Sequence, residues 1–264
     1  MRAEGLSMAK NQNMNAEEAE HMLSNAIEIG SRMIVAGAEI QRAESSIRYI
    51  CTAYGAERTE IFCINYVIMA TIYSESYGSI TVSRSVPSVT QNLYELIYLN
   101  SLSRRICNTR PDMKKVDAQL TKIDALPRYS EAQNMAIYAM VAGFFCLFFG
   151  GSWVDAIAAA VVGFAMRCFE IILRPFPLNR FLLILLQSLG AGCLAGALGL
   201  LPLGISVDKV SIGAIMVVIP GVMFVNSIRE IISENMLSGI TRLMEAILIT
   251  SSIAIGFSLA NYLL

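Results

Sequence analysis

From Ala132 to Val154 the chain carries no charged side chain for 23 residues. A helix needs about 20 apolar residues to cross the hydrocarbon core of a bilayer. Phe181 to Val207 gives another 27 uncharged residues, and Val210 to Ile228 and Ala246 to Leu264 give 19 each. Runs of this length leave a chain few options, because in lipid every backbone amide must be satisfied within its own segment. A fifth segment, Trp153 to Leu173, is apolar through Ala156–Met166 and carries Asp155, Arg167 and Glu170 toward its ends. The pattern predicts five transmembrane helices, at about 131–150, 153–173, 181–201, 210–228 and 244–263.

Charge separates the two halves of the chain. Residues 1–130 hold 14 basic and 14 acidic residues, whereas 131–264 hold 6 and 7. The first half therefore suits water and the second suits lipid. This excludes a plain cytosolic enzyme and a secreted protein. A net charge of −1 gives no support for nucleic-acid binding. Six scattered cysteines and the lone His21 offer no clustered metal ligands and no triad. No metal, cofactor or catalytic residue is expected, and the chain does not read as an enzyme. Beyond residue 130 the basic residues are Arg167, Arg174, Arg180, Lys209, Arg229 and Arg242. With a cytoplasmic N-terminal domain, only Lys209 falls outside. The positive-inside rule favours that orientation: a multi-pass protein of the cytoplasmic (inner) membrane with its N-terminus in the cytoplasm. In the third span, Gly192-x-x-x-Gly196 forms a small-residue face. Such a face suits close packing within the bundle or, alternatively, a dimer contact.

The polar segment 1–15 lacks the apolar core of a signal peptide and reads as a disordered tail. Residues 16–128 read as an α+β domain of order ααβββαα, and 130–264 as the all-α membrane bundle. Asn15 with Glu18 resembles a capping box opening the first helix. Gly37 separates it from a second helix, and Gly55 closes that one. Glu57–Cys63, Asn65–Tyr73 and Ser79–Arg84 are rich in Ile, Val, Thr, Tyr and Phe and read as strands. Pro87 with Ser88 and Gln91 introduces a third helix, Asp112 caps a fourth, and Pro127 breaks it. Ser130 and Gln133 cap the first span.

Several residues could carry function. In Gly37-Ala-Glu-Ile-Gln-Arg-Ala-Glu44, Glu39 and Arg42 stand three apart and can pair. Glu39, Arg42 and Glu44 read either as a solvated helix face or as a polar lining at the mouth of a path. Arg167 and Glu170 read either as an interfacial pair or as groups facing a water-filled cavity. Ile219-Pro220-Gly221 lies inside the fourth span, where proline removes a helix hydrogen bond and glycine adds freedom. That combination makes either a simple kink or a broken helix of the kind that forms substrate sites in transporters. Asn226 and Arg229 follow within about two turns, and Arg229 suits bidentate recognition of a carboxylate.

The segment Gly37–Glu44, followed by strands, resembles the N-terminal motif of the threonine/serine exporter (ThrE-like) family. Pro220-Gly-Val-Met-Phe-Val-Asn226-Ser-Ile-Arg229-Glu230, then Gly239 and Arg242, resembles its second motif, with Glu230 where many relatives have Asp. Five spans after a cytoplasmic domain look like the larger subunit (YjjP-like) of the split, two-component form. The resemblance implies export of small carboxylate metabolites, threonine and serine or dicarboxylates such as succinate, coupled to the proton gradient. It implies a separate four-span membrane partner (YjjB-like) and an oligomeric assembly in the bilayer. On this reading Pro220, Gly221, Asn226, Arg229, Glu230 and Arg242 line the substrate path. Glu170, Arg167, Glu245, Glu39, Arg42 and Glu44 are candidates for proton-linked or gating roles. The competing reading is a membrane sensor or scaffold whose cytoplasmic domain binds a ligand or partner.

Overall fold

The computed structural model describes residues 14–87, 92–125 and 129–263. The protein is mostly helical, with one small sheet. It divides into two compact units: Met1–Pro127 with Ile228–Thr241, and Arg128–Ser227 with Arg242–Leu264. The first unit thus includes a short segment that the hydropathy pattern alone assigns to the membrane half.

The first unit opens with α1 (Ala16–Val35) and α2 (Ile40–Ala53). Asn15 and Glu18 form the reciprocal capping box expected from their spacing. Gly37 and Gly55 both take positive φ, which lets the chain turn sharply after each helix. The strands β1 (Arg58–Ile64), β2 (Val67–Ser74) and β3 (Gly78–Ser85) follow as an antiparallel meander in the order β1-β2-β3. Side chains alternate along β2: Ile68, Ala70, Ile72 and Ser74 are buried, whereas Met69 and Tyr73 are exposed. The inner face packs against α1 and α2. Met22, Leu23, Ile27 and Met33 of α1 meet Ile40 and Ile47 of α2 and Ile68 and Ile72 of β2 in one core. A Cβ on Gly30 would lie 2.6 Å from Ile47 Cδ1, so glycine is what lets α2 approach α1 this closely.

Helices α3 (Leu93–Thr109) and α4 (Met113–Asp124) complete the core. The expected cap Ser88–Gln91 and the break at Pro127 lie outside the described residues; at the start of α3, Asn92 accepts from the Glu95 N–H. Asp112 caps α4 as expected. Polar contacts tie α4 to α1. Asp117 accepts from Asn25 at 2.7 Å and pairs with His21 at 3.0 Å, and Arg32 reaches Asp124 at 2.8 Å.

The second unit holds α5 (Glu131–Phe148), α6 (Trp153–Leu173), α7 (Arg180–Gly199) and α8 (Val207–Val218). The beginning of α9 (Gly221–Ile232) and most of α10 (Met236–Leu263) also belong to it. Helices α5, α6, α7 and α10 are each long and apolar enough to cross a membrane. Together α8 and α9 pass the same test, with a bend of 53° between them. Close backbone approach requires small residues at the crossings. A Cβ on Gly163 would lie 2.5 Å from the Tyr138 carbonyl oxygen, and one on Gly213 2.5 Å from that of Ala142. Gly192 faces Ala260 and Phe257 of α10, so the small-residue face of α7 serves packing within the bundle. At one end of this unit Asp155 is fully used. It caps α6 with Ser152, and its other oxygen accepts from the Ser206 N–H at 2.7 Å.

Candidate functional site

The bend between α8 and α9 follows from three residues. Ile219 is extended (φ −64, ψ 131), as a residue before proline is forced to be. Pro220 has no N–H to continue the helix, and its carbonyl oxygen accepts from the Phe224 N–H to start the next one. A Cβ on Gly221 would meet nothing within 4 Å, so the break lies open. A helix start at this place leaves first-turn amides without helical acceptors and turns a positive dipole end toward the break. Beyond it, Met223, Ser227 and Glu230 form the buried face of α9. Asn226 is half-buried, and Arg229 is exposed.

Arg229 points to a partner far away in sequence. Its Nη1 lies 2.5 Å from Glu39 Oε1. Glu39 is the N-cap residue of α2, yet its side chain makes no capping hydrogen bond. The expected Glu39–Arg42 pairing gives way to this one, with Glu39 at the cap position rather than within α2. Arg42 is exposed and Glu44 half-buried on the same helix. Burial raises the Glu44 carboxyl above its ordinary value, partly offset by Arg48. Burial pushes the Cys63 thiol up to about 12, with Glu44 and Glu230 adding to the shift.

The chain just after the α9–α10 turn is held by a residue that no sequence motif singles out. Asn65, in the β1–β2 turn, is buried, and its Nδ2 donates to the Ser238 carbonyl oxygen and to Thr241 Oγ1, both at 2.8 Å. The turn itself is a Schellman closure: the Asn235 N–H donates to the Glu230 carbonyl, and the Glu234 N–H to that of Ile231. Glu234 takes φ +66, a conformation usually left to glycine. Arg242, on α10, is buried.

Other candidates gather elsewhere. Arg167 bridges Glu131 at 2.7 Å and Glu170 at 2.8 Å, and its guanidinium lies 5.6 Å from the centre of the Tyr138 ring. Tyr138 donates to Glu170 at 3.1 Å, and Arg174 pairs with Glu131 at 3.1 Å. The Arg167–Glu170 pair expected from spacing is therefore part of a five-residue network spanning α5 and α6. Sequence reading missed Glu131 and Tyr138, which lie on a different helix. Glu245 pairs with Arg180 of α7 at 3.0 Å.

An α+β unit followed by several membrane-capable helices, with one further pair bent at Pro-Gly, is the architecture of a multi-pass membrane protein. The chain belongs to the ThrE family, described as "Putative threonine/serine exporter", which it matches over residues 24–264. The match takes in both units. It makes the protein a member of an exporter family, a transporter rather than an enzyme by that naming. No curated protein and no solved structure matches the chain.

Proposed function

We propose that the protein is a subunit of a secondary exporter that moves threonine and serine out of the cytoplasm. The α+β unit lies on the cytoplasmic side of the inner membrane, and export runs on the proton gradient. The observation that carries this reading is the 53° break between α8 and α9. Broken spans place helix ends and free backbone groups where a polar cargo needs them. Pro220 and Gly221 make the break, and Asn226, Arg229, Glu230 and Arg242 follow it along the path. The basic residues support the orientation, since of the six beyond residue 130 only Lys209 lies at a turn predicted to face outward. Glu170 and Glu245, each beside an arginine, are the candidates for proton linkage. A smaller four-span membrane subunit (YjjB-like) completes the carrier, which works as an oligomer.

The test is efflux from cells lacking their own exporters, expressing this chain with and without the four-span partner. Cells are loaded with labelled threonine, serine or succinate. Threonine and serine efflux that needs both chains, and that slows when the proton gradient is collapsed, is the expected result. Succinate efflux alone would move the cargo to dicarboxylates. No efflux from a stably assembled pair would overturn the exporter and favour a sensor.

A further inference from the structure

Arg229 and Glu39 form an ion pair that the fold does not need for its own cohesion. Their side chains are 58% and 34% exposed, and exposed ion pairs of this kind contribute little to stability. The segment that carries Arg229 is held by other means. Asn65 is only 6% exposed and makes two hydrogen bonds to the first two turns of α10, and buried bonds of that kind are costly to break. The chain after the α9–α10 turn is thus fixed by Asn65, while the Arg229–Glu39 pair stands at its edge, partly exposed.

We propose that this pair is an amino-acid subsite: an incoming α-amino acid inserts between the two side chains, its carboxylate taking Arg229 and its ammonium taking Glu39. The inference rests on the exporter reading and adds where, and through which groups, that cargo is recognised. The charge arithmetic suits the exchange. One salt bridge within the protein is replaced by two to the ligand, and a zwitterion leaves the net charge unchanged. Arginine offers a planar fork that a carboxylate can meet with two parallel hydrogen bonds. The Glu39 carboxylate is free to turn to an ammonium because it caps no backbone amide of α2. In the empty protein Glu39 occupies the place of the cargo's carboxylate. A ligand carrying only one of the two charges satisfies one partner and strands the other, which selects against amines and simple acids.

The test is equilibrium binding to the full chain, together with its four-span partner where export needs it, by titration calorimetry in nanodiscs. The probes are L-serine, glycerate (a hydroxyl in place of the ammonium) and ethanolamine (no carboxylate). For the wild type, serine should bind at least about tenfold more tightly than either of the others, one ion pair removed from a recognition site being of that order. Glu39→Gln should lose most of the serine affinity and keep that for glycerate, so that the preference between the two falls or inverts. Arg229→Gln should lose both. Hydrogen exchange over residues 233–241 should match the wild type in each variant, because Asn65 still holds the turn. Serine affinity within twofold of the wild type in both variants would reduce the pair to a surface contact. Equal loss of serine and glycerate in Glu39→Gln would also overturn the subsite, as the mark of a structural role. Wild-type export with unaffected variants would sink this inference and leave the exporter reading standing. A wild type that neither binds nor exports serine or threonine would end both.

Discussion

Single residues report most directly on the first unit. Cys51 and Cys63 are buried, and burial pushes both thiols up to about 12. The thiolate is the reactive form, so neither should react with maleimide in the folded protein at pH 7.5, and both should react after denaturation. Mass spectrometry of the labelled peptides checks this, and labelling of Cys63 in the native chain would contradict the packing around β1. Glu44 gives a pH signature. Its carboxyl is raised by burial, so the protonated form is the one the fold prefers. The contribution is fully present below its ordinary value of 4.5 and lost as pH rises through the raised one. Glu44→Gln should therefore melt higher than the wild type at pH 7.5, and the gain should disappear below about pH 4. The gain should be small, because the group is half-exposed and solvent screens it. Local chemistry of this scale was readable where both partners lie within one turn: Asn15 with Glu18, Ser130 with Gln133, and Asp112 with the amides that follow it. It was unreadable for Glu39, whose partner lies 190 residues away.

At the scale of elements, periodicity and punctuation carried far. Runs of β-branched and aromatic residues between glycines located the three strands to within about two residues, the usual uncertainty of such boundaries. Apolar length located α5, α6 and α7. The reading was least informative at the start of α10, which begins at Met236 rather than near 244. Uncharged runs register a helix only where charges stop, and here Arg242 and Glu245 lie inside the helix, with Arg242 buried and Glu245 paired to Arg180. The break in the fourth span was legible because Pro220-Gly221 acts through the backbone alone. Pro220→Ala restores an N–H and removes the clash that forces Ile219 to be extended, an effect worth about 3 kcal/mol in favour of a continuous helix. The variant should assemble in the membrane at normal levels and lose at least about 90% of threonine efflux, since a straightened span would bury the helix ends that the proposed path needs. Efflux at the wild-type rate would make the proline a passive kink.

For the whole molecule the contacts within the first unit yield a prediction about a question that composition leaves open. A bent pair such as α8 with α9 can cross the membrane once or dip in and return to the side it came from. The turn after α9 belongs to the same compact unit as the α+β domain, through Asn65 to Ser238 and Thr241 and through Glu39 to Arg229. That segment must therefore stand on the same side of the bilayer as residues 14–125. Three crossings by α5, α6 and α7 carry the chain to the opposite side. One further crossing by α8 and α9 would bring it back, which predicts that the pair is a broken span, five in all, with α10 ending on the far side. A cysteine placed at Tyr262, which is 89% exposed, should be modified by a membrane-impermeant maleimide only from the face opposite to that which labels a cysteine at the exposed Tyr94 of α3. Labelling of both positions from one face would make α8 and α9 a re-entrant loop and would require the docked turn to come from elsewhere than the α+β domain's own side. The docking of that turn uses Asn65, a side chain with no motif around it, together with the distant Glu39–Arg229 pair, which is why apolar runs suggest the number of spans but not which end of the bent pair meets the α+β domain.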